Sequence, residues 1–385
     1  MSNQKMSEEK IYDIAVIGGG LAGLCFSVLM AKKGHAVILF EKEKYPFTKV
    51  CGEYISMESW DFLTEEIGVP LNDLHVSEIT KLEVSSPNGN TLNSMLDTGG
   101  FGISRYKLDH TIQQIAQEAG VIVKENCKAE DIVFTDEVFT IKTTEGTFQS
   151  LCCCGAWGKR SNIDIKKKRA LIHKRAGLLN NYVGIKYHVR GPFPADTIFL
   201  HNFKDGYCGL SKIEDDLYCL CYFMKASNLK KSGHAIEQAE EKILSENPHL
   251  QKILATAQKS EEKPVTISQV SLSKKKAVED HIFMLGDAAG MISPLCGNGM
   301  SIAMNSANIA AAQLHDFLEK KISRQEAEIN YAAGRKKAFG KRIAAGRVIQ
   351  SLFGKKMLTN VFLGLMKKSG YLTKKMIGLT HGKRF

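Results

Sequence analysis

Asp287 is the one carboxylate in the stretch GDAAGMISPLCGNGM (286–300), where every other residue is small, flexible or apolar. An acid surrounded by so little side-chain bulk can accept hydrogen bonds from ligand hydroxyls, because Gly286, Gly290, Gly297 and Gly299 let backbone come close. The apolar run HIFMLGD (281–287) reads as a strand that stops at this acid. The run after it, GMSIAMNSANIAAAQLHDFL, is strongly helical, so Gly299 and Met300 stand at a helix N-terminus whose partial positive charge favours an anion.

A second constellation lies near the start of the chain. YDIAVIGGG reads as a strand ending in glycines, LAGLCFSVLMAKKG has helical spacing, and AVILFEK reads as another strand. The turn is Gly18-x-Gly20-x-x-Gly23, and Glu41 follows 18 residues after the last glycine, with Lys42 beside it. In that strand, turn, helix, strand context the pattern is a dinucleotide fingerprint. Gly18 makes the tight turn, Gly20 lets backbone approach a pyrophosphate, and Gly23 lets the helix pack on the strand. The helix N-terminus at Leu21 and Ala22 offers N–H groups to phosphate, and Glu41 suits ribose hydroxyls. Together the two constellations favour FAD over NAD as the bound cofactor. A flavin brings ribityl hydroxyls for Asp287 and an N1/C2=O edge, negative when reduced, for the second helix.

With these motifs in hand, VIGGGLAG with Glu41, SRYKLDH (104–110) and GDAAGMISPLCGNGMS resemble the FAD-dependent oxidoreductases of the aromatic-hydroxylase superfamily. KVCGEYIS (49–56) and DGYCGLSKIEDDLYCLCYF (205–223) are most similar to its geranylgeranyl reductase group, and the resemblance covers roughly residues 11–320. It implies that Arg105 sits near the FAD phosphates and that Asp287 binds the ribityl chain. It also places Cys51 and Gly52 beside the flavin ring, and Gly286, Pro294, Gly297, Gly299 and Met300 around the cofactor. Lys49-Val50-Cys51-Gly52 matches a K-P-C-G pattern with Val50 in place of proline. Trp157, in GAWGKRS (155–161), occupies the acidic position of a segment linked to nicotinamide use.

The reaction implied is reduction of an activated carbon–carbon double bond in a small apolar substrate, an isoprenoid, polyene or acyl chain. NAD(P)H would bind transiently and deliver hydride to flavin N5, since the chain holds only one dinucleotide fingerprint. Cys51 is the first candidate proton donor and Tyr207 the second. Two alternatives stay open: a flavin monooxygenase consuming O₂, and a membrane- or carrier-docked electron carrier. A tryptophan-halogenase type fits less well, because Trp60 and Trp157 are the only tryptophans and no W-x-W-x-I-P occurs.

The elements that position these residues imply an α/β fold. It comprises a Rossmann-like FAD-binding domain (1–72, 102–165 and 272–330), an inserted, mostly antiparallel substrate sheet (73–101 and 166–271), and a basic helical region (331–385). Phe199, Tyr207, Leu210, Tyr218, Leu220 and Phe223 are candidate apolar lining of the substrate sheet, and equally plain core residues of it. Asp109 reads as a structural cap or a helix-start acid. The ten cysteines, including the run Cys152-Cys153-Cys154, lack C-x-x-C spacing, so free buried thiols are expected and no metal.

Of 385 residues with net charge +11, residues 331–385 carry 14 Lys/Arg and no acid, which leaves the remainder at −3. The basicity therefore belongs to the tail. No nucleic-acid-reading module accompanies it, so nucleic acid is not an expected partner. Leu358, Val361, Phe362, Leu365, Leu372, Met376 and Leu379 share one helical sector with lysines on the other side. Gly364, Gly370 and Gly378 interrupt the run, so several short helices are expected; they suit an anionic membrane surface or an acidic carrier protein, or else they dock their apolar face on the flavin domain and leave the lysines to solvent. The polar N-terminus and the lack of a long apolar run point to a cytoplasmic, non-spanning protein, with peripheral membrane contact as an option.

Overall fold

In the computed structural model, which describes residues 10–159, 161–167, 169, 181–270, 275–291, 297–352, 354–380 and 382–385, the first apolar run forms the strand Ile11–Ile17. Successive strand side chains face opposite ways. Ile14 and Val16 join the core beneath the helices, while Ala15 and Ile17 join the core on the other face. The cysteine run divides likewise in strand Gly146–Gly155, with Cys152 and Cys154 on one side and Cys153 on the other. All three are buried and free; burial lifts the Cys152 thiol to about 12 and pushes Cys153 and Cys154 higher still. They are packing groups, since the thiolate is the reactive form.

The first sheet runs Val278–Glu279, Ile282–Met284, Gly146–Gly155, Ile11–Ile17, Val37–Phe40, Ile122–Lys124, with every pairing parallel except the first. A hairpin, Ala129–Thr135 and Val138–Thr143, extends it antiparallel from Gly146–Gly155. Parallel neighbours need a crossover. Helix Leu21–Lys32 supplies one, and its residues Leu21 to Met30 are all buried because helices Arg105–Glu118 and Gly299–Leu318 pack against it.

The second sheet runs Gln258–Lys259, Tyr182–Arg190, Tyr218–Lys225, Gly206–Lys212, Thr197–Phe203, Ser77–Ser85, Thr91–Gly102, Tyr54–Ser56, with Val265–Val270 also paired to Tyr182–Arg190. Thr197–Phe203 and Ser77–Ser85 run parallel, and the other pairs are antiparallel. Helices Ile236–Lys242 and Pro248–Thr256 close one face through Ala239, Leu250 and Ile253. The opposite face looks toward the first domain.

This is the α/β architecture read from the sequence, with two differences at the segment edges. Tyr54–Ser56, inside the first FAD-binding segment, pairs with Thr91–Gly102 in the second sheet. Helix Arg324–Leu352 runs uninterrupted through position 330, because a shift in charge composition does not end a helix. Its Arg335 and Arg342 are buried, and Arg342 donates to Glu58 at 2.6 Å, so part of the tail's basicity is internal.

Candidate active site

Gly18 takes φ +107, a conformation that favours glycine, and a Cβ there would collide with the Ala156 carbonyl. A Cβ on Gly23 would overlap the Gly18 carbonyl oxygen, so the helix sits directly on the turn. Gly20 caps that helix without a side chain, and its first turn holds no acid, which leaves its N–H groups for an anion. The position of a Cβ on Gly20 lies 3.6 Å from Lys49 Nζ and 3.7 Å from Arg105 Nη2. Backbone donors and two cations therefore converge where a pyrophosphate would lie. Gly23→Ala is expected to push helix and turn apart, yielding protein that keeps no flavin; a normal flavin content in the purified variant would contradict this packing.

Glu41 follows the strand Val37–Phe40, where its Oε2 accepts from Gly19 N at 2.8 Å and its Oε1 from Glu43 N at 3.2 Å. Both bonds hold the carboxylate at the cavity wall. Lys42 is exposed, with its ammonium 3.2 Å from Glu43.

Ser104 accepts from Lys107 N at 3.1 Å and starts the helix that carries Arg105 and Asp109. Asp109 is not a cap: its two oxygens accept from Arg105 Nε and Nη2, each at 2.7 Å, and Lys49 lies 3.3 Å away. Burial alone would lower the Arg105 pKa, but Asp109 raises it well above its ordinary value and keeps the guanidinium charged. Four-residue spacing puts the pair on one helix face. The fork is thereby aimed before any ligand arrives.

Asp287 lies in a helical turn, Gly286–Ala289, after strand Ile282–Met284. Gly286 N donates to Ser306 Oγ at 2.9 Å, and a Cβ on Gly286 would sit 3.2 Å from that of Ala22. The two constellations far apart in sequence therefore meet at one helix start. Among the described residues, the Asp287 carboxylate accepts no hydrogen bond, and it lines the same cavity as Gly18, Gly20, Glu41 and Arg105. Gly297, Gly299 and Met300 border it too, Gly299 opening the helix Gly299–Leu318. Pro294 lies outside the described residues. Hydroxyl acceptor, anion cradle and a second helix N-terminus suit FAD, whose ribityl chain and pyrophosphate they would hold.

The cavity, about 1000 Å³, continues past Cys51 and Gly52 to Tyr207. Trp157 forms another wall, its Nε1 donating to Asp164 at 3.2 Å. Of the expected apolar lining, Tyr207 and Phe223 share a cluster on the cavity side. Leu210 touches the cavity but packs in the helix-covered core with Phe199, Tyr218 and Leu220, because the two-residue alternation of strands sends neighbours to opposite faces.

Sequence reading missed a buried network behind Cys51. Glu53, at φ +54, is fully buried; it accepts from Arg105 N at 2.7 Å, pairs with Lys186, and lies 2.7 Å from His188 Nε2. Lys186 also reaches the Lys49 carbonyl at 3.3 Å, and Cys219 Sγ donates to the Cys51 carbonyl at 3.2 Å. The 49–53 segment is thus fixed from below. A signal was present: Lys186 and His188 are polar residues two apart in the otherwise apolar strand YVGIKYHV, hence on one face.

Comparisons with known proteins agree with this geometry. Residues 16–50 match the NAD(P)-binding Rossmann-like domain family, and residues 215–350 match the squalene epoxidase family. The chain is 24% identical over 352 residues to conditioned medium factor receptor 1 of Dictyostelium discoideum, covering 84% of this chain and 67% of that protein. It is 26% identical over 313 residues to digeranylgeranylglycerophospholipid reductase of Methanococcus vannielii, covering 78% and 76%. The solved geranylgeranyl bacteriochlorophyll reductase-like protein from Thermoplasma acidophilum superposes with TM-score 0.79 at 17% identity, over 98% of this chain and 97% of that one. Solved flavin-dependent halogenases share the fold as well.

Proposed function

We propose that this chain, an FAD-dependent oxidoreductase resembling the geranylgeranyl reductases in fold and motifs, reduces a carbon–carbon double bond in an elongated apolar substrate. The observation that carries the reading is one cavity that joins the dinucleotide cradle at Gly20 and Asp287 to walls made of Leu82, Leu96, Ile198, Leu200, Phe223 and Ile377. An apolar chain would gain from burial there, roughly 25 cal/mol per Å². FAD reduced by NAD(P)H would supply the hydride. The protein's own task is to orient the double bond and give a proton to the second carbon. Cys51 is half-buried on the cavity wall and its backbone is held by Cys219; Tyr207 lines the same cavity from strand Gly206–Lys212.

The test is anaerobic: enzyme reduced with NADPH is mixed with isoprenoid, polyene or acyl candidates, and reoxidation with a saturated product supports the reading. Cys51→Ser is expected to keep FAD and flavin reduction but slow substrate reduction by roughly a hundredfold, the scale of one general acid. Unchanged half-reactions would make Cys51 a packing residue. The match of residues 215–350 to squalene epoxidase supports a second reading, oxygen insertion into an apolar substrate. Isotopic oxygen from O₂ in the product would establish that reading and overturn the first.

A further inference from the structure

The two helices that end the chain, Lys356–Lys368 and Gly370–Thr380, are apolar on two sides. One side is inward: Thr359, Leu363, Met366 and Thr373 are buried, and Ile377 forms part of the cavity wall beside strand Thr91–Gly102. The other side is outward. Met357 is 76% exposed, Leu358 41%, Val361 55% and Leu365 55%, followed by Tyr371 at 73% and Leu372 at 42%. At the α-helical rotation of about 100° per residue, Met357, Leu358, Val361 and Leu365 fall within a sector of about 100°, roughly opposite the buried face. The sector read from sequence as a single apolar face is thus split, with Phe362 and Met376 turned partly inward.

Cations flank the outward strip. Lys355, Lys356, Lys367, Lys368, Lys374 and Lys375 are all exposed; Lys374 lies 3.4 Å from Asp97. No Asp or Glu occurs after residue 330.

We propose that this strip is a docking surface for an anionic lipid bilayer, into whose interface the helices sink their outward apolar side. Charge selects the occupant: a second copy of the chain would bring two faces rich in lysine together, whereas anionic headgroups complement them. Length excludes spanning, since the 13 residues of Lys356–Lys368 reach only about 20 Å against a hydrocarbon core of about 30 Å, and no helix among the described residues is long and apolar enough to cross. Helix Gly370–Thr380 carries the exposed Tyr371 and Leu372 of the strip and, through Ile377, part of the cavity wall. On the reading of an apolar substrate proposed above, the surface would bring the cavity to the phase in which that substrate dissolves; the docking itself does not depend on that reading.

The experiment is sedimentation of the full-length, FAD-loaded protein with vesicles of phosphatidylcholine alone and with an equal share of phosphatidylglycerol, at rising salt. Binding to the anionic vesicles is expected, released by salt. Val361→Asp with Leu365→Asp is expected to lower partitioning about tenfold or more, and Lys367→Glu with Lys368→Glu about fivefold for each lost lysine. All four side chains are exposed, and unchanged FAD content and helicity would verify the fold. Indifference to lipid charge, or variants that partition like the parent, overturn the proposal. So does a strip that fails to bind vesicles yet captures an acidic carrier protein or sets the oligomeric state. A failed docking test leaves anaerobic turnover of a detergent-dispersed substrate intact, so the two proposals fail separately. Truncation near residue 345 is a poorer probe, because it removes Ile377 and the Phe385–Phe62 contact along with the strip.

Discussion

Asp287→Ala is expected to weaken FAD binding about ten- to a hundredfold. A hydrogen bond to a charged group contributes about 1.5–3 kcal/mol, and this carboxylate accepts no hydrogen bond among the described residues. The backbone around it is held independently, by Gly286 N on Ser306 Oγ and by Gly290 N on the Asp287 carbonyl at 3.1 Å. The variant should therefore fold and lose affinity alone. Fluorescence titration of apoprotein with FAD measures the change, and Asp287→Asn should fall between the two. An alanine variant with the parent's affinity would remove Asp287 from the cofactor site.

Glu53→Ala is expected to cost about 3–5 kcal/mol of stability, because it strands the Lys186 ammonium, 1% exposed, without its carboxylate. Replacing both partners, Glu53→Gln with Lys186→Met, should recover much of that loss, since no buried charge is left unpaired. The pair also sets a pH dependence. Burial pushes the Glu53 carboxyl up, but Lys186 and the His188 hydrogen bond outweigh it and hold the group below its ordinary value. A depressed folded pKa contributes stability that is present above the unfolded value, about 4.3, and lost as pH falls through the folded one. Burial would lower Lys186, yet Glu53 raises it overall, so its contribution is present below about 10.4 and lost as pH rises through the folded value. Urea unfolding across pH should show Glu53→Gln with lower stability at neutral pH and a shallower acid limb. An acid limb as steep as the parent's would mean that other carboxylates dominate it.

How much of this was legible beforehand follows from what is local. The strand, glycine turn and helix at Ile11–Lys32 were readable because φ +107 at Gly18 and the overlap at Gly23 are demands that a residue type answers by itself. Strand periodicity likewise reveals the second sheet, though not which face of each strand the cavity takes, so it leaves Phe199, Tyr218 and Leu220 open between lining and core, and the packing places them in the core. The meeting of Gly286 with Ala22, the approach of Lys49 to Asp109, and the Glu53–Lys186–His188 network join residues from 60 to more than 200 positions apart. No local preference encodes such pairings; they arise when two sheets close on each other. Residue types and their spacing are enough to imply a dinucleotide-binding α/β chain with a basic, amphipathic end. Which carboxylates are hydrogen-bonded internally, which are not, and which side of the terminal helices faces outward emerge only on packing, because each depends on what lies against it.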